Sequence, residues 1–376
     1  MVLLAAVIEG ASWGVLTAKG KITEPFGSRY QPRTSYQYFP YIGYRYAPFR
    51  KDVRTGLDTD RHGFIHNGDA DRDLSTKAPG VYRIFLVGGS NVAGDTGGPV
   101  TISGRLEARL NETAEPGRRY EVVNAGVSGW LSSQELAFIT YYVADFQPDL
   151  IISFNGFTDV YQAIRAPREG YGPNANNHLT SAARAAFVHT YSVRGTFAQA
   201  LGLLTARSYV TEVLDELTAS VRYRVGGTPA PEADDAPPPG LGSDPLRYHR
   251  QNHRLILAAA SALRVPILSA LQPTVLRSKS LDKPYRQVFI QEVDMSWSRI
   301  DFWSEKDRLY AEARAQVAAA AAEWPAGCQQ LVRDYSTLFD TETEPAYPDQ
   351  GHFTVWANDR IAAAMADDLR MWRQGC

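Results

Sequence analysis

The chain has 376 residues, of which 44% are hydrophobic and 21% are charged, a composition typical of a globular protein with one large domain or two ordinary ones. Its 39 basic and 41 acidic residues give a formal net charge of −2, and the sequence has no basic excess or stripe of the kind that would indicate nucleic-acid binding. The two cysteines, Cys328 and Cys376, cannot define a disulfide framework and suit either redox compartment.

Residues 1–19 form an apolar segment that the sequence leaves open to three interpretations. Glu9 interrupts the run after eight apolar residues, so it falls short of the roughly 20 that a membrane span needs. No basic residue precedes the run, as one would in a cleavable signal peptide. The segment is a short membrane anchor, a packed amphipathic helix or an atypical signal peptide. An anchor would bring a membrane or membrane-protein partner, and the expected location is membrane-associated or extracytoplasmic.

Residues 20–76 are rich in Tyr, Pro, Arg and Gly and show little periodicity, so we predict an irregular arm with short strands. Many of the aromatic residues lie between Tyr30 and Phe49. They form either a carbohydrate-facing surface or, as is more common, an arm packed on a core.

Residues 77–376 are predicted to form the main domain, in which strands and helices alternate. The apolar run at 81–87 (VYRIFLV) lies between Pro79-Gly80 and Gly88-Gly89, which is typical of a buried strand in a parallel sheet. A helix, a strand, a helix and a strand follow at 103–111, 120–123, 132–142 and 149–154. Ser132 or Ser133 is expected to cap the second helix. This spacing indicates βαβ units and a parallel α/β sheet.

The alternation is interrupted at residues 160–245, which we predict to be a helical insertion over the sheet edge. Its last part, residues 226–245, is dense in Pro, Gly and acidic residues and indicates a flexible loop, with a domain boundary as the alternative. The α/β pattern then resumes, with helices at 248–263, 307–322 and 358–372 and strands at 265–271 and 330–334.

Ser90 is a candidate nucleophile because it follows the first buried strand, and ligands of parallel α/β sheets bind beyond the carboxyl ends of the strands. Gly88 and Gly89 permit a sharp turn that exposes its hydroxyl, and a following helix would direct its N-terminal amides at developing negative charge. A phosphate-binding glycine loop is a competing interpretation, but GGSNVAGDTGG lacks the glycine and lysine spacing of such loops. An ordinary strand-to-helix turn is the structural alternative.

His352 is a candidate general base, with Asp349 three residues before it. A loop can bring this carboxylate to the ring Nδ1–H, which fixes the tautomer and leaves Nε2 to take the proton of a serine hydroxyl. Serine needs such a base because its own pKa is far too high. A lone Asp-x-x-His is commonly structural. The sequence has no spaced His, Cys and carboxylate cluster for a metal, and no metal or organic cofactor is expected.

Two further segments are candidates for an oxyanion hole. They are the second segment, residues 124–129, and the third segment, residues 156–159 with the preceding Asn155. Each follows a predicted strand and so lies on the same edge as Ser90. The proposed donors are the backbone N–H groups of Ser90 and Gly129 and a side chain from the third segment, Thr158 or Asn155. The structural alternatives are a turn glycine at Gly129 and strand-end capping by Thr158 and Asn155.

The order of these four segments resembles that of the SGNH (GDSL-type) hydrolases. RIFLVGGSNVAG is similar to the serine block, with glycine in place of the usual aspartate before the serine, and VVNAGVSGWLSSQEL is similar to the glycine block. YPDQGHFTVWANDRIAAAM resembles the final block, and PDLIISFNGFTDV resembles the third, except that the family's asparagine falls on Thr158. The resemblance spans residues 80–160 and 245–372 and implies a three-layer α/β/α fold with a flavodoxin-like parallel sheet.

The resemblance also implies a serine-dependent ester hydrolase, an esterase, deacetylase or acyltransferase, acting on an acyl ester of a small molecule, carbohydrate or lipid. In that role Ser90 attacks the acyl carbonyl, His352 takes its proton and Asp349 orients His352. The Thr158 departure, the apolar N-terminus and the aromatic arm leave an alternative: a catalytically weak or inactive accessory subunit of a membrane-associated assembly. The distance between the Ser90 hydroxyl and His352 discriminates between the two.

Overall fold

The computed structural model describes residues 2–19, 36–49, 51–52, 57–67, 73–94, 100–165, 244–276 and 302–375. The chain divides into two compact units, residues 1–38 with 181–235 and residues 39–180 with 236–376. In the first unit the structure describes helix α1 (Val2–Ala18) and most of strand β1 (Tyr36–Phe39). Within the described residues, no helix is both long enough and apolar enough to cross a bilayer.

The predicted arm contains short strands where the structure describes it. Besides β1, they are β2 (Gly43–Tyr46), β3 (Lys51–Asp52) and β4 (Leu57–Asp58), and β3 pairs antiparallel with β4. Tyr44 and Tyr46 are buried, whereas Tyr41 and Phe49 are exposed. The described part of the arm therefore packs on a core, with two aromatic residues left at the surface. Residues 20–35 of the arm, and residues 166–243 of the predicted insertion, lie outside the described residues.

A five-stranded parallel sheet forms the centre of the second unit. Its strands are β5 (Val81–Gly88), β6 (Arg119–Gly126), β7 (Leu150–Asn155), β8 (Ile267–Leu271) and β9 (Gln330–Asp334). Their order is β6-β5-β7-β8-β9, which is the flavodoxin-like order 2-1-3-4-5. Every residue of β7 and β8 is buried, as expected of strands that helices cover on both faces.

Seven helices accompany this sheet in the described residues. They are α2 (Ser90–Ala93), α3 (Ile102–Glu112), α4 (Ser132–Tyr141), α5 (Phe157–Arg165), α6 (Arg247–Leu263), α7 (Phe302–Glu323) and α8 (Val355–Gln374). Helix α3 packs on α8, and α6 packs on both α4 and α7. The connection through α3 moves towards one edge of the sheet, and the connections through α4, α6 and α7 move towards the other edge. Because such connections are right-handed, α3 lies on one face of the sheet and α4, α6 and α7 lie on the opposite face. The predicted three-layer α/β/α fold is confirmed.

One helix start and one helix cap differ from prediction, and side chains decide both. Helix α8 begins at Val355, three residues early, because the Thr354 hydroxyl accepts the Ala357 N–H. Helix α4 begins at Ser132, but the residue in the N-cap position is Leu131, so neither predicted serine is the cap. Instead the carboxylate of Asp159, from α5, accepts the Ser132 backbone N–H and its hydroxyl.

Candidate active site

Ser90 lies at the carboxyl end of β5. This is the switch point of the strand order, because β6 is added on one side of β5 and β7, β8 and β9 are added on the other. It is the first residue of the one-turn helix α2 and follows Gly89 directly. A Cβ on Gly88 would lie 2.4 Å from Val92 Cγ2 and 2.6 Å from the Phe154 carbonyl oxygen. Gly89 has φ −84° and ψ −151°, which any residue can adopt. At the turn from β5 into α2 the two glycines are therefore needed for close packing and not for a left-handed backbone conformation.

The structure brings Ser90, His352 and Asp349 into one hydrogen-bonded chain. His352 Nε2 lies 2.9 Å from Ser90 Oγ, and His352 Nδ1 lies 2.6 Å from Asp349 Oδ2. A carboxylate can only accept, so Nδ1 carries the hydrogen and Nε2 is left to accept the serine proton. Ser90 is 9% exposed, and the side chains of His352 and Asp349 are 24% and 34% exposed. The arrangement suits activation of a serine hydroxyl, with the imidazole and the carboxylate partly exposed and the serine nearly buried.

The Asp349 carboxylate also builds the loop on which His352 sits. Its Oδ1 accepts the backbone N–H groups of Gly351 and His352, each at 2.8 Å. Burial alone would raise the pKa of Asp349, but the hydrogen bonds and charge of His352 and the N–H of Gly351 outweigh it and lower the pKa to about 2. Asp349 is therefore ionised at any physiological pH, as an acceptor for the imidazole must be.

The third segment contributes Thr158 to this region and turns Asn155 away from it. A Cβ placed on Gly89 would lie 3.0 Å from Thr158 Oγ1, so the threonine hydroxyl lies against the backbone that precedes Ser90. Asn155 donates its amide hydrogens to Glu135 Oε2 at 3.1 Å and Ser153 Oγ at 2.9 Å. Since both hydrogens are engaged there, the structure brings Thr158, and not the Asn155 side chain, to the serine.

Gly129 lies in a tight turn after β6. Trp130 N–H donates to the Val127 carbonyl at 3.0 Å, and Gly129, the third residue of this turn, has φ +76°. A left-handed third residue is favourable for glycine. The Trp130 carbonyl oxygen would lie 3.2 Å from a Cβ on Gly89, so the turn approaches the strand end that carries Ser90.

Strand β2 of the arm supports this turn. The Tyr44 hydroxyl donates to the Ser128 carbonyl at 3.0 Å, and the Tyr46 hydroxyl donates to Ser128 Oγ at 3.0 Å. Trp130 Nε1 in turn donates to the Tyr44 carbonyl at 2.9 Å. These contacts join residues more than 80 positions apart, so no local signal in the sequence connects the arm to the site.

A buried polar network lies behind the third segment, between β7 and the helices α4, α6 and α7. Glu135 is 1% exposed and accepts the Ser153 hydroxyl at 2.8 Å in addition to the Asn155 amide. His249 links Asn155 Oδ1 at 3.3 Å to Gln316 Oε1 at 3.0 Å. Burial raises the pKa of Glu135 to about 8, although the Asn155 and Ser153 hydrogen bonds lower it in part. Glu135 is thus mainly protonated at neutral pH.

Two buried residues near the site were not assigned a role by the sequence analysis. Asn91 directly follows Ser90, and its Nδ2 donates to the Gly351 carbonyl at 2.9 Å. Lys306 of α7 is 1% exposed, and its Nζ donates to the Gln350 carbonyl at 2.6 Å. Asn91 could have been found from its position next to the serine, but Lys306 lies in an alanine-rich helix that carries no motif.

Comparison with known proteins gives similarity to solved structures only. No model of a protein family and no curated protein matches the chain. An acetylxylan esterase from Geobacillus stearothermophilus, solved as a catalytic mutant, is 12% identical with a TM-score of 0.42, over 78% of this chain and 96% of that one. A protein described as a lipolytic member of the G-D-S-L family, from Desulfitobacterium hafniense, is 11% identical with a TM-score of 0.40, over 76% and 98% of the two chains.

A GDSL-like lipase from Bacteroides thetaiotaomicron is 13% identical with a TM-score of 0.35, over 77% of this chain and 88% of that one. No conclusion about this chain rests on similarity at such values. The flavodoxin-like α/β/α fold rests on this chain's own sheet order, and the four segments lie at the carboxyl ends of β5, β6 and β7 and in the loop before α8.

Proposed function

We propose that the protein is a serine-dependent hydrolase or transferase of acyl esters, with Ser90 as nucleophile, His352 as general base and Asp349 as the group that orients His352. The observation that carries the proposal is the pair of distances, 2.9 Å from Ser90 Oγ to His352 Nε2 and 2.6 Å from His352 Nδ1 to Asp349 Oδ2. Both are hydrogen-bonding distances, so no rearrangement is needed before the serine can be deprotonated.

In the proposed first step Ser90 Oγ forms a bond to the acyl carbon while its proton passes to His352 Nε2. The carbonyl oxygen becomes an oxyanion, for which we propose the backbone N–H groups of Ser90 and Gly129 and the Thr158 hydroxyl as donors. The tetrahedral intermediate then expels the alcohol, which takes the proton from His352.

The acyl group is now bonded to Ser90. A water molecule, or an acceptor hydroxyl in a transfer reaction, attacks the acyl carbon and gives its proton to His352. Collapse of the second intermediate releases the acid or the new ester and returns the proton to Ser90. Asp349 stays ionised throughout and stabilises the imidazolium, in line with its lowered pKa. We include carbohydrate and lipid esters among the substrates to be tested.

The test is covalent labelling of Ser90 by a fluorophosphonate probe. Wild type is expected to react at Ser90, and Ser90→Ala is expected to be unlabelled. His352→Gln, which keeps the serine but removes the base, should react far more slowly. Both variants must give the circular dichroism spectrum and melting temperature of wild type. Folded wild-type protein that shows no Ser90-dependent labelling, and no hydrolysis of small acetyl esters, would overturn the proposal.

A further inference from the structure

Two consecutive backbone carbonyls lie between the acid and the base of the candidate site, and a buried side chain holds each of them. The Gln350 carbonyl accepts Lys306 Nζ at 2.6 Å and, at the longer distance of 3.3 Å, the Thr274 hydroxyl, and the Gly351 carbonyl accepts Asn91 Nδ2 at 2.9 Å. Because these carbonyls belong to two of the three peptide units that connect Asp349 to His352, holding them restricts the position of the imidazole. Lys306 belongs to α7 and Asn91 belongs to α2, so two separate helices hold the loop.

Asn91 links the histidine loop to the element that carries the nucleophile. It is 5% exposed and follows Ser90 in α2, so its hydrogen bond closes a ring: Ser90 to Asn91 through the chain, Asn91 to Gly351, and His352 back to Ser90 Oγ. The first two links therefore restrict the distance of the last link, which is 2.9 Å. Within the described residues Asn91 Oδ1 is buried without a hydrogen-bond partner, which costs free energy, so the favourable polar contact of this side chain is the bond that its amide donates to Gly351.

Lys306 holds the other carbonyl from an aromatic enclosure. Its Nζ lies 5.1 Å from the ring centre of Phe157 and 5.0 Å from that of Trp303. Burial lowers its pKa to about 7, although the charges of Asp307 and Asp349 oppose this. The amine carries N–H groups in both protonation states, so it can donate to the Gln350 carbonyl on either side of neutral pH.

Phe157 restricts the same loop by shape. A Cβ on Gly351 would lie 2.1 Å from Phe157 Cζ, and the Phe157 ring lies edge-on to the His352 ring with centres 6.4 Å apart. The Phe157 ring thus lies against both the loop, at Gly351, and the Lys306 amine. Contacts from surrounding side chains of this kind hold a reacting group in the position that the reaction needs.

We propose that Asn91 and Lys306 are positioning residues that together hold the loop from Asp349 to His352, so that His352 Nε2 stays within reach of Ser90 Oγ. Their role in turnover rests on the proposed function, whereas their hold on the loop does not. A displacement of about 1 Å at a reacting group can cost roughly 100-fold in rate, so loss of either donor should be visible in catalysis as well as in the loop.

The decisive measurement is hydrogen exchange of the Gly351 and His352 amides, which Asp349 protects, in the full-length chain. Asn91→Ala and Lys306→Met each remove one donor, and each should speed this exchange at least about tenfold. The matched control is Asn358→Ala, because Asn358 is also a buried asparagine that donates to a backbone carbonyl, that of Val100 at 3.0 Å. Unchanged exchange in both test variants, or equal acceleration in the control, overturns the proposal.

Labelling of Ser90 by the fluorophosphonate gives the second readout. We expect rates about 10- to 100-fold lower in Asn91→Ala and Lys306→Met, and partial recovery in Lys306→Gln, which keeps an amide donor. For an acetyl ester, kcat should fall while KM changes little. If the loop loosens but labelling keeps its wild-type rate, the positioning role is refuted. If wild type itself is not labelled, the proposed function fails, and the exchange measurement still decides whether the two residues hold the loop.

Discussion

Glu135→Gln should change the pH dependence of stability, because Glu135 is buried as a neutral acid. Burial raises the pKa of Glu135 from 4.5 to about 8 in the folded protein. Between these values the folded chain keeps a proton on Glu135 that the unfolded chain releases. The contribution of Glu135 to wild-type stability therefore falls as pH rises, and it is gone once the pH has passed the folded pKa. Glutamine has a similar shape and keeps an oxygen acceptor for Ser153 and Asn155, but it cannot titrate.

The magnitude follows from the shift. One pH unit corresponds to about 1.4 kcal/mol, so the rise from 4.5 to about 8 amounts to about 5 kcal/mol at most across the whole window. Other titrating groups are common to both proteins and cancel in the difference. Relative to wild type, the variant should therefore gain up to about 1.4 kcal/mol of unfolding free energy per pH unit, and the gain should level off near pH 8.

The assay is urea-induced unfolding followed by tryptophan fluorescence, for wild type and Glu135→Gln, at half-unit steps from about pH 5 to about pH 9. The plotted quantity is the difference in unfolding free energy at each pH. A difference that stays constant over this range would refute the reasoning, because Glu135 would then titrate equally in the folded and unfolded chains. A difference that falls with pH would mean that the folded state binds the charged form.

Three further predictions concern the site. Asp349→Asn should lower kcat for an acetyl ester by about 10⁴-fold, because the amide favours the wrong imidazole tautomer, and unchanged kcat would exclude this role. Thr158→Val should lower kcat by about 100-fold or more with little change in KM; wild-type kcat would remove Thr158 from the oxyanion site. Tyr46→Phe loses its hydrogen bonds to Ser128 and should lower the free energy of unfolding by about 1 kcal/mol, which chemical denaturation measures. For an acetyl ester, kcat should fall by a larger factor than KM rises.

The parts of the site that the sequence predicts are those with local signals. Ser90 follows an apolar strand, and Asp349 lies three residues from His352, so motif spacing and the rule that parallel strands end at one edge were enough to bring them together. The strand order could be inferred only through the resemblance, because pairing between β5 and β7 joins residues more than 60 positions apart.

Asn155 illustrates what sequence position alone leaves undetermined. Its place at the end of β7 is correct, but side chains of a strand alternate between faces. Asn155 therefore points to the same side as Ser153, towards Glu135 and His249, and away from the serine. In the sequence, His249 belongs to a polar stretch that resembles a solvent-exposed helix, and its partners lie 94 and 67 positions away.

The support that strand β2 gives to the turn at Gly129 has a consequence for where the chain can be cut. Composition changes near residue 77, and a fragment starting there would retain all five strands of the sheet. It would nevertheless lack Tyr44 and Tyr46, whose hydroxyls hold Ser128, and it would uncover Trp130, whose indole N–H donates to the arm. The shortest chain that keeps the hydrogen bonds of the turn at Gly129 must therefore include strand β2 of the arm. A boundary drawn from composition alone would remove residues that support the candidate site.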